Sequence, residues 1–200
     1  MLTDWAHGSG WTFIYAPGAG SNIHDPFGAT LAERLVSDGI SVVRFQFPYQ
    51  EAGRKSPDRP LVLYETWQQV LKAYKQDGTR TAIGGRSMGG RIASQVAAAG
   101  DKADALGLFA YPLHAPGRPD QPRIEHLPNI SCPTIFCSGT RDNFGSVKEL
   151  ENAASLVSSA RMHFLDGADH GFATLKASGR TRGDVWAEAC SALVDWLHHL

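Results

Sequence analysis

The chain has 200 residues, enough for one domain with a substantial hydrophobic core. Its formal net charge of −1 offers no basic face to a nucleic acid and no cationic attraction to a membrane surface, so neither partner is expected. No apolar run is long enough to span a bilayer, and the opening MLTDWAHGSG lacks a basic segment followed by an apolar stretch, so neither a membrane span nor a secretory leader is expected.

In chain order, apolar runs alternate with longer helical patterns. Trp11 to Ala16 reads as a strand, closed by Pro17, Gly18 and Gly20. Asp25 and Pro26 look like an N-cap and a first helical proline, and Phe27, Leu31, Leu35 and Val36 recur at helical spacing up to Gly39. Ser41 to Phe47 is a second strand, rich in β-branched and aromatic residues. Residues 48–60 hold Pro48, Gly53, Pro57 and Pro60 and predict an irregular loop. A helix over Leu61 to Gln76, a strand over Thr79 to Ile83 and a helix over Met88 to Ala99 follow. Ala105 to Tyr111 is the fourth strand, and residues 112–131, with five prolines, predict a stiff loop and not a helical insertion. Pro133 to Cys137, a helix over Val147 to Ser158, Arg161 to Leu165 and an amphipathic helix over Arg182 to His199 complete the chain. The three cysteines, Cys132, Cys137 and Cys190, form no CxxC pair and read as buried free thiols, which suits a reducing, cytoplasmic setting.

Six strands joined by crossover helices should lie parallel, with helices on both faces and the ligand site beyond the carboxyl ends of the strands. The loop after the third strand reads Gly84-Gly85-Arg86-Ser87-Met88-Gly89-Gly90 and contains Gly85-x-Ser87-x-Gly89 between a strand and a helix. A nucleophilic serine needs such a turn, because its hydroxyl must stand exposed on a tight, strained corner with small residues two positions either side. The alternative is a glycine-rich turn that merely packs helix on strand; the strand–turn–helix context favours catalysis. The helix that begins there also aims free amides at the serine.

A serine hydroxyl is a weak nucleophile until a base takes its proton. On this kind of turn the acid and then the histidine follow the serine in the chain. Asp142 follows the fifth strand and His170 the sixth. His24 and His114 lie on carboxyl-end loops but precede the acid, and the remaining histidines lie at the termini, in the proline-rich loop or inside a strand. Asp169 is a rival acid, although its position next to His170 should point it away, and Asp166 suits support of the turn. The second oxyanion donor besides the Met88 amide is expected from Ala19, in the glycine loop after the first strand.

The segments APGAG (16–20), VVRFQFPY (42–49), GGRSMGGR (84–91), YPLHAPG (111–117), SGTRDNFG (138–145) and DGADHGF (166–172) resemble the small α/β-hydrolases grouped around dienelactone hydrolase. The resemblance is nearest to the lidless branch that includes a testis-expressed eukaryotic protein and the hydrolase-like subunit of the nonspecific-lethal chromatin complex. It implies one α/β-hydrolase domain over residues 1–200, a three-layer sandwich with a mostly parallel sheet of about six strands and no lid. Two further strands would precede Trp11, where only a short stub is available, so they are expected to be reduced or absent. The family's nucleophile, acid and base carry over onto Ser87, Asp142 and His170. Where the dienelactone enzymes use cysteine, serine here points toward ester chemistry.

With no lid, the expected substrate is a small carboxylic ester or thioester, or a surface-presented acyl group. Tyr111, His114, Arg86 and Phe144 are candidate substrate-binding residues, and a groove formed by Phe47, Tyr49, Phe144 and Phe172 is the competing possibility for longer acyl chains. Other arginines on these loops, Arg91, Arg118, Arg123 and Arg141, suit either a substrate anion or structural bonds. No phosphate-binding glycine loop or metal-ligand spacing occurs, so no cofactor and no metal are expected. The alternative function is a binding or scaffold protein that keeps a hydrolase fold without turnover.

Overall fold

The computed structural model describes every residue except 76 and 77. Seven strands form one sheet: β1 (Leu2–Asp4), β2 (Trp11–Ala16), β3 (Ser41–Arg44), β4 (Arg80–Arg86), β5 (Ala105–Phe109), β6 (Thr134–Gly139) and β7 (Ala160–Leu165). Their spatial order is β1-β3-β2-β4-β5-β6-β7, and every pairing is parallel except β1 with β3. The stub ahead of Trp11 is therefore a seventh, antiparallel edge strand. Three residues carry too little periodicity to be read as a strand; what holds them is the register on β3 and the ion pair of Asp4 with Arg44 at 3.2 Å.

Helices α1 (Pro26–Ser37) and α6 (Arg182–His198) cover one face; α3 (Pro60–Tyr74), α4 (Met88–Ala98) and α5 (Val147–Ala154) cover the other. The strands are buried on both sides, which is why they read as continuous apolar runs. In β2, Trp11, Phe13 and Tyr15 enter the core under α1 and α6, while Ile14 and Ala16 enter the core under α3 and α4. Asp25 caps α1 by accepting from Gly28 N–H, with Pro26 at the first position, as the sequence predicts. All three cysteines are free; burial pushes the Cys190 thiol up to about 12 and Cys137 higher still.

Several boundaries move. The third strand stops at Arg44, short of the expected Phe47, and Pro48–Glu51 forms a short helix, α2, inside the expected loop. Pro48 presets the first turn, and the Gln50 side chain reaches back to accept from Phe47 N–H at 2.8 Å. β4 runs on to Arg86 and delivers the chain straight to Ser87. α5 ends at Ala154, and β5 stops at Phe109, where Ala110 takes φ +48°. The end of α3 expected at Gln76 lies outside the described residues.

Residues 112–131 contain no helical domain, only a short 3-10 turn at Leu127–Asn129. Arg123 ties the segment back: its N–H donates to Leu113 O at 2.7 Å, its guanidinium donates to Pro112 O at 3.0 Å, and its carbonyl accepts from Tyr111 Oη–H at 2.7 Å. His126 docks the far end on α4, with Nε2 2.7 Å from Ser94 Oγ. Burial, aided by Arg91, lowers the His126 imidazole from 6.5 to about 4. The unfolded chain therefore binds a proton below pH 6.5 that the folded chain refuses until about pH 4, and stability is lost as pH falls through that window. For a partly exposed ring the loss is about 1–2 kcal/mol. Urea unfolding of wild type and His126→Gln at pH 7 and pH 4.5 checks this: the wild type should lose more stability between the two pH values. Equal losses would remove His126 from the acid response.

Candidate active site

Ser87 sits between β4 and α4 at φ +50°, ψ −119°. Among the described residues Ser87, Ala110 and Phe172 are the non-glycines at positive φ, and all three lie in or beside loops at the carboxyl ends of strands. Such conformations cost about 1–3 kcal/mol each and persist only when the surroundings over-determine them. Here Ser87 N–H donates to Phe109 O at 2.8 Å, and Ser87 O accepts from Arg91 N–H at 3.0 Å. The end of β2 packs directly on the turn: a Cβ on Gly85 or Gly89 would stand 2.2 or 2.3 Å from Ala16 O, so neither position accepts a side chain. Trp67 of α3 fixes the outer side, its indole N–H donating to Gly89 O at 3.1 Å.

The loops after β6 and β7 bring the two expected partners to Ser87. His170 Nε2 lies 2.9 Å from Ser87 Oγ, and His170 Nδ1 lies 2.8 Å from Asp142 Oδ2. A carboxylate only accepts, so Nδ1 carries the proton and the Nε2 lone pair faces the serine hydroxyl. The Asp142 side chain is fully buried, and its other oxygen accepts from Phe144 N–H at 2.8 Å. The Phe144 ring stacks on the imidazole, centroids 3.9 Å apart. Asp169 is committed elsewhere: its Oδ1 accepts from Gly171 N–H and Ala173 N–H at 2.8 and 2.9 Å. Asp166 accepts from Thr140 Oγ1–H at 3.3 Å and braces the turn between the two loops.

The glycine loop after β2 packs beside the serine, with the Cβ position of Gly18 3.5 Å from Ser87 Cβ. Met88 opens α4 and has no intrahelical acceptor for its amide, and Ala19 N–H also donates to no acceptor among the described residues. The loop is held from behind. Gln50 Nε2 donates to Gly18 O at 3.1 Å and Ser21 O at 2.6 Å, and Tyr49 Oη–H donates to Ala19 O at 2.8 Å. Sequence reasoning missed Gln50; the segment resembling the hydrolases stops one residue before it, and no local pattern reveals a contact with residues 18–21.

These elements enclose an open cleft of about 520 Å³, lined by the 18–21 loop, Asp25, Arg86, Ser87, Phe144 and His170. Of the four candidate substrate-binding residues, Arg86 and Phe144 line it and Tyr111 and His114 do not. Tyr111 is buried under the 112–131 segment, which its hydroxyl holds, and His114 is tied to the neighbouring loop by its N–H bond to Phe144 O at 3.0 Å. The competing aromatic groove does not form, because Phe47, Tyr49 and Phe172 are buried in the core. Arg86 has a structural commitment as well. Its Nη2 donates to His170 O at 3.1 Å, and its guanidinium packs near the Phe172 and Phe27 rings. Asp25 faces it at 4.0 Å while accepting from Tyr15 Oη–H at 2.7 Å. Burial, then the Asp25 charge, pushes the Tyr15 hydroxyl well above its ordinary range, so it remains a donor. Arg141 and Arg123 bond backbone carbonyls. Among the described residues no group of three or more His, Cys, Asp or Glu could hold a metal ion, and no helix is long and apolar enough to cross a membrane.

The family described as alpha/beta hydrolase domain matches residues 9–198. Solved structures of the same fold include an alpha-beta serine hydrolase homologue from Coxiella burnetii, 20% identical with a TM-score of 0.75, covering 95% of this chain and 86% of that one. A monoacylglycerol lipase from Paleococcus ferrophilus is 16% identical with a TM-score of 0.74, covering 99% and 97%. A dienelactone hydrolase from Anabaena variabilis is 19% identical with a TM-score of 0.74, covering 98% and 89%. From the glycine-flanked turn to the sheet order and the matched length, the chain belongs to the alpha/beta-hydrolase family.

Proposed function

We propose that the protein is a serine hydrolase that cleaves small carboxylic esters or thioesters through an acyl-enzyme on Ser87. The observation that carries this reading is the continuous chain Ser87 Oγ–His170–Asp142, with contacts of 2.9 and 2.8 Å. His170 Nε2 takes the hydroxyl proton as Ser87 Oγ bonds to the substrate carbonyl carbon. The amides of Met88 and Ala19 hold the resulting oxyanion. The imidazolium, stabilised by Asp142, then protonates the departing alkoxide or thiolate, leaving the acyl group on Ser87. Water, deprotonated by His170, attacks that acyl group, releases the carboxylic acid and restores the serine. The segments GGRSMGGR and YPLHAPG are our basis for placing the chain in the lidless, dienelactone-hydrolase-like branch. The test is a fluorophosphonate probe followed by mass spectrometry. An adduct on Ser87 supports the reading, and no adduct on folded protein leaves a hydrolase-fold scaffold in its place.

Acyl length is a further expected result. The cleft has no lid, and besides His170 its aromatic lining among the described residues is Phe144. Methylenes beyond the first few remain in water and forgo most of the roughly 0.8 kcal/mol that burial of each would supply. Along a C2 to C16 p-nitrophenyl ester series, kcat/KM should peak at short chains. A steady rise past about C8 at the full gain per methylene would refute the open cleft.

Arg86 gives a different signature. It holds the His170 backbone through one hydrogen bond, so Arg86→Met should lower kcat roughly 10- to 100-fold by loosening the imidazole. For a neutral ester, KM should change little. A large KM rise at constant kcat would instead make Arg86 a substrate contact.

A further inference from the structure

The turn that carries Ala19 is pinned by three side chains of residues 46–50. Gln46 Oε1 accepts from Ile23 N–H at 2.9 Å, and Tyr49 Oη–H donates to Ala19 O at 2.8 Å. The Gln50 side-chain NH2 reaches two carbonyls at once, Gly18 O at 3.1 Å and Ser21 O at 2.6 Å, the first and last of the turn. Gln50 is itself fixed, because its Oε1 accepts from Phe47 N–H at 2.8 Å. That bond settles which end of the side-chain amide is the oxygen and leaves the NH2 for residues 18 and 21.

The bond to Gly18 O bears on chemistry because of the peptide it belongs to. Gly18 C=O and Ala19 N–H form one planar trans unit, so they point in opposite directions. With the carbonyl held by Gln50, the amide points away from Gln50, and Ala19 lines the Ser87 cleft. Gly18 lets this plane turn over at little steric cost. Among the described residues the other donor to its carbonyl is Ser21 N–H, at 3.1 Å, within the same turn. A donor on the carbonyl also polarises the peptide and makes its N–H a stronger donor. We propose that Gln50 is a positioning residue for the oxyanion hole, its NH2 locking the Gly18–Ala19 peptide with the N–H toward the carbonyl oxygen of a substrate at Ser87. Its effect on rate rests on the serine-hydrolase reading; the lock itself rests on the hydrogen bonds alone.

Gln50→Glu tests the lock at pH 8. The substitution keeps the side-chain length and the acceptor for Phe47 N–H, but sets a carboxylate oxygen against Gly18 O and Ser21 O. Acceptors repel one another, so the Gly18–Ala19 peptide should turn over. A crystal structure of the variant should show Ala19 N–H facing the new carboxylate and no longer the cleft. For a short p-nitrophenyl ester, kcat should fall about 10- to 100-fold while KM stays within about threefold. The Ki of a trifluoromethyl ketone, which adds to Ser87 as a tetrahedral oxyanion, should rise by the same factor as kcat/KM falls. Gln50→Met removes the donor without adding a charge; it is the second variant and should lose at least about fivefold in kcat. Three results would each overturn the proposal. These are an unturned peptide in Gln50→Glu, kcat of both folded variants within about threefold of wild type, or a loss confined to KM. If the wild type takes no fluorophosphonate adduct, the hydrolase reading fails, and the peptide orientation alone then decides the lock.

Discussion

Replacing Ser87 with alanine should abolish fluorophosphonate labelling and lower kcat/KM for a short p-nitrophenyl ester by at least about 10⁴-fold. The expectation follows from position. The hydroxyl is the group 2.9 Å from His170 Nε2. Stability should scarcely change, since alanine keeps the Cβ and the same φ of +50°. Ser87→Gly separates the two roles of the residue. Glycine adopts that backbone without penalty, so the variant should be inactive yet more stable by about 1 kcal/mol, read as a higher urea midpoint. His170→Ala should cost about as much activity as Ser87→Ala, and the double variant little more, because the pair acts as a unit. An adduct on another serine, or an alanine variant with more than a tenth of the activity, would remove Ser87 from the mechanism.

The candidate site was legible to the extent that its parts obey rules that are local in sequence. A serine flanked by glycines two residues either side can be recognised before any contact is known, because the pattern lies within five residues; the clash with Ala16 O that excludes a side chain at Gly85 and Gly89 comes from β2 and is visible only in the fold. Asp142 and His170 follow from strand order, since each strand ends at the same edge of the sheet. What could not be read depends on tertiary contact. The bonds from Gln50 to Gly18 and Ser21 join residues about thirty positions apart, and Gln50 itself sits in a short helix inside a proline-rich segment that resembles a loop. β1 is a strand only because β3 offers it an edge. Tyr111 and His114 sit on a carboxyl-end loop yet miss the cleft, because the stiff segment that replaces a lid folds back over them and Arg123 ties it there. Charge alone makes Arg86 a candidate substrate contact; its bond to the His170 carbonyl requires the loop after β7 to close on the turn after β4.

Asp142→Asn should be the second severe lesion, about 10⁴-fold in kcat, with the fold intact. Both oxygens of Asp142 accept, one from His170 Nδ1–H and one from Phe144 N–H, each at 2.8 Å. Asparagine offers one accepting oxygen and one donating NH2 in the same space. If the oxygen stays on Phe144, the NH2 donates to Nδ1, the ring proton moves to Nε2, and an N–H points at Ser87 where a lone pair is needed. If the amide flips, two donors face each other at Phe144, and the ring stacked on the imidazole loses its anchor. The positively charged imidazolium also loses its buried counter-charge in either case. Asp169→Asn is the matched comparison, since an amide oxygen can still accept from Gly171 and Ala173, and its activity should stay within about tenfold of wild type. Steady-state ester hydrolysis and fluorophosphonate labelling rates on both variants decide the matter. A nearly normal Asp142→Asn beside a crippled Asp169→Asn would transfer the acid's role to Asp169.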